Sequence, residues 1–107
     1  MKIKVESFLM KQGNRLGKAA IQFESEDGIL AGFHLVGFTI CEDDEKGLFV
    51  LFPAAVTKDE KDNGKARPFF FLRPDDPSLL DTLSDKILDV FEKQTEGFNK
   101  PRMKAAV

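Results

Sequence analysis

Several groups of residues have types and spacings that invite a chemical reading. Gly13-Asn14-Arg15-Leu16-Gly17-Lys18-Ala19 has the outline of a phosphate-cradling loop. Three residues separate its glycines where such a loop needs four, and Ala19 stands where a hydroxyl must bind magnesium. A loop joining two strands accounts for it better. Cys41 and His34 are the one thiol and the one imidazole of the chain, so they alone offer a nucleophile–base pair. They are an odd number of residues apart, and alternate side chains of a strand point to opposite faces. A small core cysteine and a sheet histidine are the simpler reading. Glu42-Asp43-Asp44-Glu45 lacks the alternating carboxylates, the glycine and the distal glutamate of a calcium loop. Asp85 and Asp89 lie four apart on the outside of a helix, with no cleft in which paired carboxylates would exchange protons. These readings predict no enzyme, no metal and no cofactor.

The remaining candidates are cations. Lys58, Lys61, Lys65 and Arg67 lie in or beside one loop, interleaved with Asp59, Glu60 and Asp62. Lys100, Arg102 and Lys104 stand undiluted on a tail. Both groups suit contact with phosphates without reading of base sequence, and solvation of a loop and a terminus explains them equally well. The formal net charge is −2, so no global basic field announces nucleic acid or an anionic membrane. Any such contact must be local, against the acidic stretch 75–96.

The elements that must position these residues follow from periodicity. Residues 2–10 alternate as a half-buried strand, and 18–26 place Ala19, Ile21 and Phe23 on one face. Asp27-Gly28 predicts a two-residue hairpin turn that sets Phe23 opposite Gly32. Residues 29–41 read as a strand interrupted at Gly32 and Gly37, which suggest a bulge or a close backbone approach. Strands 48–52 and 69–72 are apolar on both faces, and 57–66 reads as a polar loop. One helix follows, with Asp76 as N-cap, Pro77 at the first position and Gly97 past the end. Its stripe is Leu79, Leu80, Leu83, Ile87, Val90 and Phe91.

The chain has 107 residues, with eleven phenylalanines and no other aromatic. That length predicts one domain over 1–98 and a flexible basic tail over 99–107. The fold class is α+β, a small antiparallel sheet of about five strands with one C-terminal helix. A helix of about 17 residues, some 25 Å long, shields one sheet face, yet Phe49, Phe52, Phe69, Phe70 and Phe71 lie on strands without a polar face. A second copy of the chain is the expected cover, with Phe49, Leu51, Phe70 and Leu72 at the interface. A sheet curled into a barrel is the alternative. No apolar run approaches the roughly eighteen residues that a membrane span needs. The charged N-terminus and single cysteine predict a cytoplasmic protein.

The run Gly47-Leu48-Phe49-Val50-Leu51-Phe52-Pro53 resembles the Gly-Leu-Phe-Val-x-x-Pro strand of the stage V sporulation protein G (SpoVG) family, septation-regulator-like proteins. Gly17-Lys18-Ala19-Ala20-Ile21 and Val36-Gly37-Phe38-Thr39-Ile40 resemble two earlier strands of that family, in the same order. The similarity spans roughly residues 2–95. It implies a small bacterial homodimeric regulator that binds DNA or RNA. In the family a small residue and basic residues follow the proline, where this chain has Ala54, Ala55 and Val56. A protein-interaction or scaffold dimer that keeps the fold without nucleic acid is the alternative.

Overall fold

The computed structural model describes residues 1–59, 65–95 and 101–103, with the backbone alone for 56–59 and 65–67. In chain order these form β1 (Lys2–Gln12), β2 (Arg15–Gln22), a 3-10 segment (Ser25–Leu30), β3 (His34–Asp43), β4 (Gly47–Leu51), β5 (Ala54–Asp59), β6 (Lys65–Phe70) and α1 (Ser78–Gln94). Strands β1 to β4 make an antiparallel sheet in sequence order, and β5–β6 make a separate antiparallel pair. The class is α+β, as the periodicities predict. The sheet is open, not closed into a barrel among the described residues. Residues 57–59 and 65–66, expected in a polar loop, instead belong to the β5–β6 hairpin.

The core is what α1 covers. Ala19, Ile21, Phe38, Ile40, Leu48, Val50 and Phe52 meet Leu80, Ile87, Leu88 and Phe91 of the helix. Each fully buried aliphatic contributes about 1.5–3 kcal/mol through removal from water. Phe38 and Phe52 pack edge to face, centroids 5.4 Å apart at 69°, the arrangement their ring quadrupoles favour. The helix begins one residue later than expected, at Ser78 with Pro77 just before it, and Asp76 Oδ1 accepts the Ser78 N–H at 3.0 Å. Its stripe is rotated slightly from the expected one. Leu79 is 51% exposed, while Leu88 is buried beside Ser84, whose Oγ has no hydrogen-bond partner.

Two turns differ in kind. Asp27-Gly28 is not a two-residue hairpin turn. Glu24 N donates to Asp27 Oδ2 at 2.7 Å and Asp27 N donates to Glu24 O at 2.9 Å, which winds the segment into 3-10 turns. Such local side-chain bonds compete with hairpin pairing. Strand β2 therefore ends at Gln22, paired with His34. Phe23 bonds both Phe33 and Gly32 at the neck of the loop. The expected bulge is present: the β2–β3 register shifts between Ala19 and Ile21, and Gly37 takes φ +101°. A Cβ there would lie 3.1 Å from Pro53 Cβ, so the bulge also seats that proline.

The tail is not loose at residues 101–103. Leu48 N donates to Pro101 O and Met103 N donates to Leu48 O, both at 2.8 Å, so Arg102 makes a parallel bridge on the free edge of β4. An unpaired edge offers its backbone groups to other chains, and this segment occupies it. Gly47 permits the approach. It has φ +99°, and a Cβ on it would collide with the Pro101 carbonyl. Gly47→Ala is therefore expected to lower unfolding free energy by about 2 kcal/mol or more. Gly13→Ala, at φ +62° in open space, should cost about 1 kcal/mol from backbone strain alone. Urea denaturation measures the difference, and equal losses would show that the strap makes no demand on Gly47.

Candidate nucleic-acid interface

Because α1 covers one face, the opposite or outer face holds whatever the strands present there. Register pairs Lys2 with Gln22, Lys4 with Ala20, Glu6 with Lys18, and Lys18 with Thr39. These residues alternate with Ile3, Val5, Ala19 and Ile21, which face the helix. The outer face of β1–β3 is thus mainly polar, with half-buried Phe8 and exposed Val36 beside the charged residues. At β4 it turns apolar, and the separate β5–β6 hairpin exposes further apolar side chains. Leu51 is 41% exposed, Phe69 49% and Phe71 59%, joined through Pro53, whose carbonyl accepts the Phe71 N–H at 3.1 Å.

This arrangement separates the four residues expected at a subunit interface. Phe49 and Leu51 lie on the outer face of β4, half-buried and exposed respectively. Phe70 and Leu72 instead pack against the intramolecular core. Alternation along β6 sends Phe69 and Phe71 outward in their place. Those two rings meet edge to face at 6.2 Å, and the Arg73 guanidinium lies 4.6 Å from the Phe69 centroid.

The basic residues of the predicted loop sit largely on the hairpin. Lys58 pairs with Ala66, Lys65 with Asp59, and Arg67 with Thr57. Lys65, Arg67 and Phe69 occupy alternate positions of β6, ending at the Phe69–Arg73 stack. The radius of gyration is 15.0 Å, against about 13 Å for a compact chain of this length. Lys61, Lys100 and Lys104 lie outside the described residues.

Arg102 is committed elsewhere. Its guanidinium lies 2.9 Å from Asp89 Oδ1, 3.1 Å from Glu92 Oε1 and 3.4 Å from Asp85 Oδ1. Positions 85, 89 and 92 form one stripe of α1 at helical spacing. Burial works against the charge of Arg102, but hydrogen bonds to Asp89 and Glu92 outweigh it and raise its pKa further. A cation held by three carboxylates is a poor phosphate ligand. Asp85 and Asp89, on the outside of the helix as expected, serve this clamp.

The other candidate chemistries separate. His34 is exposed at the start of β3, whereas Cys41 is fully buried near its end. Seven residues of strand put them about 23 Å apart. Burial pushes the Cys41 thiol pKa up, partly offset by the positive charge of Arg15. Gly13-Asn14 is the two-residue turn between Gln12 and Arg15. The acidic run is a structured turn: Asp43 Oδ1 accepts the N–H groups of Glu45 and Lys46, each at 2.9 Å, which lowers its pKa. Lys11 Nζ lies 3.6 Å from Glu42 and 3.9 Å from Asp44. Among the described residues, no group of His, Cys, Asp and Glu is arranged to hold a metal ion, and no helix is long and apolar enough to cross a membrane.

Sequence reasoning passed over Lys2, Lys4, Arg15 and Lys18 as site residues. Strict alternation at the N-terminus was the available signal, since it puts Lys2 and Lys4 on one face. What it could not give was the register that brings Lys18 beside them.

Comparison with protein-family models, curated proteins and solved structures finds no match for this chain.

Two outcomes follow from this geometry. Arg102→Ala should lower stability by about 1–2 kcal/mol, through loss of charge-assisted hydrogen bonds at a partly exposed site. It should leave oligonucleotide affinity unchanged; a fall in affinity without a fall in melting temperature would return Arg102 to the interface. Cys41 should react with a disulfide reagent only as fast as the chain unfolds, because its thiol is buried and protonated. Rapid labelling of native protein would contradict that placement.

Proposed function

We propose that this protein is a homodimeric regulator of SpoVG type that binds DNA or RNA mainly through phosphate contacts. The carrying observation is the hairpin that lies outside the main sheet, with Lys65 and Arg67 at alternate positions of β6 and Lys58 on the paired strand β5. Cations gathered on one element suit contact with phosphates without reading of base sequence. The Gly47-to-Pro53 resemblance points the same way, and four of its five distinctive positions have a structural task here. Gly47 admits the tail, Leu48 and Val50 enter the core, and Pro53 packs on Gly37. The uncovered Leu51 and the exposed Phe69–Phe71 ring pair support a second copy as the partner, because exposed apolar surface marks association sites.

The second reading is a scaffold dimer without nucleic acid. The observation that favours it is Arg102, withdrawn from solvent into the carboxylates of α1.

Sedimentation and oligonucleotide binding separate these readings. The full chain should sediment as a dimer at micromolar concentration, and Phe69→Ser with Phe71→Ser should give a folded monomer. A monomeric wild type would overturn the dimer. Affinity for mixed-sequence DNA and RNA should fall steeply as salt rises, as counterion release requires. A dimer that binds neither at ~50 mM salt would leave the scaffold reading.

A further inference from the structure

We infer that the outer face of β1–β3 is a second phosphate-binding surface, and that its ligand is single-stranded nucleic acid. The inference rests on the nucleic-acid reading above but places the contacts on residues outside the hairpin and the tail.

The face is concave. A hollow of about 570 Å³ opens on the side away from α1, and Lys4, Arg15 and Lys18 border it together with Phe8, Val36 and Thr39. The outer faces of sheets are ordinarily balanced by cross-strand pairs of opposite charge. This one is not. Glu6 is the one carboxylate bordering the hollow, and it lies 3.5 Å from Lys18 with both side chains largely exposed, a weak and easily exchanged pair. Lys4 and Arg15 have no acidic partner among the described residues, and Lys2 extends the row next to Lys4 along β1. A concave, uncompensated cationic surface concentrates anions and speeds their arrival.

The spacing selects an extended anion over a small one. Arg15 and Lys18 lie on β2, and Lys2 reaches the same strand through its partner Gln22. Seven residues from 15 to 22 extend the row over about 23 Å. One phosphate cannot engage cations so far apart, whereas a polyphosphate backbone can. The floor of the hollow selects a single strand. Half-buried Phe8 and exposed Val36, which also border the hollow, add apolar surface to it, against which unpaired bases can lie. A duplex keeps its base faces stacked inside. Thr39 adds a hydroxyl beside Lys18 for a phosphate or a base edge.

The hairpin cations and the sheet cations make different predictions, so paired variants distinguish them. Full-length chain would be titrated with a fluorescent single-stranded 20-mer, as DNA and as RNA, over a series of salt concentrations. Lys4→Glu with Arg15→Glu should weaken binding at least about tenfold at ~100 mM salt and reduce the salt slope by about two, one for each phosphate contact. Both residues are exposed, so melting temperature should hold; if it falls, Lys4→Gln with Arg15→Gln carries the same test. Lys65→Glu with Arg67→Glu reports on the hairpin. Loss in the hairpin variant with full affinity in the sheet variant would overturn this inference and leave the proposed function standing. Absence of binding by the wild type at ~50 mM salt would overturn both. A duplex of the same length bound as tightly as the single strand, with equal sensitivity to Lys4 and Arg15, would overturn the choice of ligand.

Discussion

One helix can cover one face of a sheet, and the rest of this molecule follows from that limit. Alternation gives each strand two faces, and α1 closes over Ala19, Ile21, Phe38, Ile40, Leu48 and Val50. The opposite face must be polar or find another cover. Both solutions occur here. From β1 to β3 it carries lysines, Gln22 and Thr39, which water satisfies. At β4 it carries Leu51, which water does not, and Phe69 and Phe71 lie exposed at the separate β5–β6 hairpin. The proposed regulator assigns these two halves to different partners, a polyanion and a second copy of the chain.

The same economy appears at the sheet edge. Strand β4 supplies two core side chains yet stands last in the sheet, where its outer backbone groups would be open to other chains. Residues 101–103 close that edge, and Arg102 anchors them to the acidic stripe of α1. The helix and the edge strand are thereby tied by one short segment. Gly47 is the position that makes this possible, since no side chain fits between its backbone and Pro101. The tail thus contributes to the fold a cation that its sequence had suggested for a ligand.

Much of the architecture was legible because it rests on local periodicity. The alternation of Lys2 to Glu6, the Asp76–Pro77 helix start and the Gly37 bulge are each encoded within a few residues. The misreadings arose where a distant contact or a competing local bond decided the outcome. Asp27 and Glu24 bond each other and replace a hairpin turn with 3-10 turns. The parity of β6 depends on where β5 pairs with it, so Phe70 and Phe69 exchange the faces expected of them. Arg102 looked free because its three carboxylates lie ten or more residues away in sequence. The cationic row on the outer face was the least legible. Lys4 and Lys18 become neighbours only through register, and a one-residue slip would have moved them apart.

The central claim is that the outer face, and not the helix, meets the ligand. Amide chemical shifts of the isotope-labelled chain, followed while a single-stranded oligonucleotide is added, test it directly. The account predicts that shifts concentrate at Lys4, Lys18 and Thr39 and at Lys65 and Arg67, while Asp85, Asp89 and Glu92 stay fixed. Shifts confined to α1, or none anywhere on β1–β3, would contradict it.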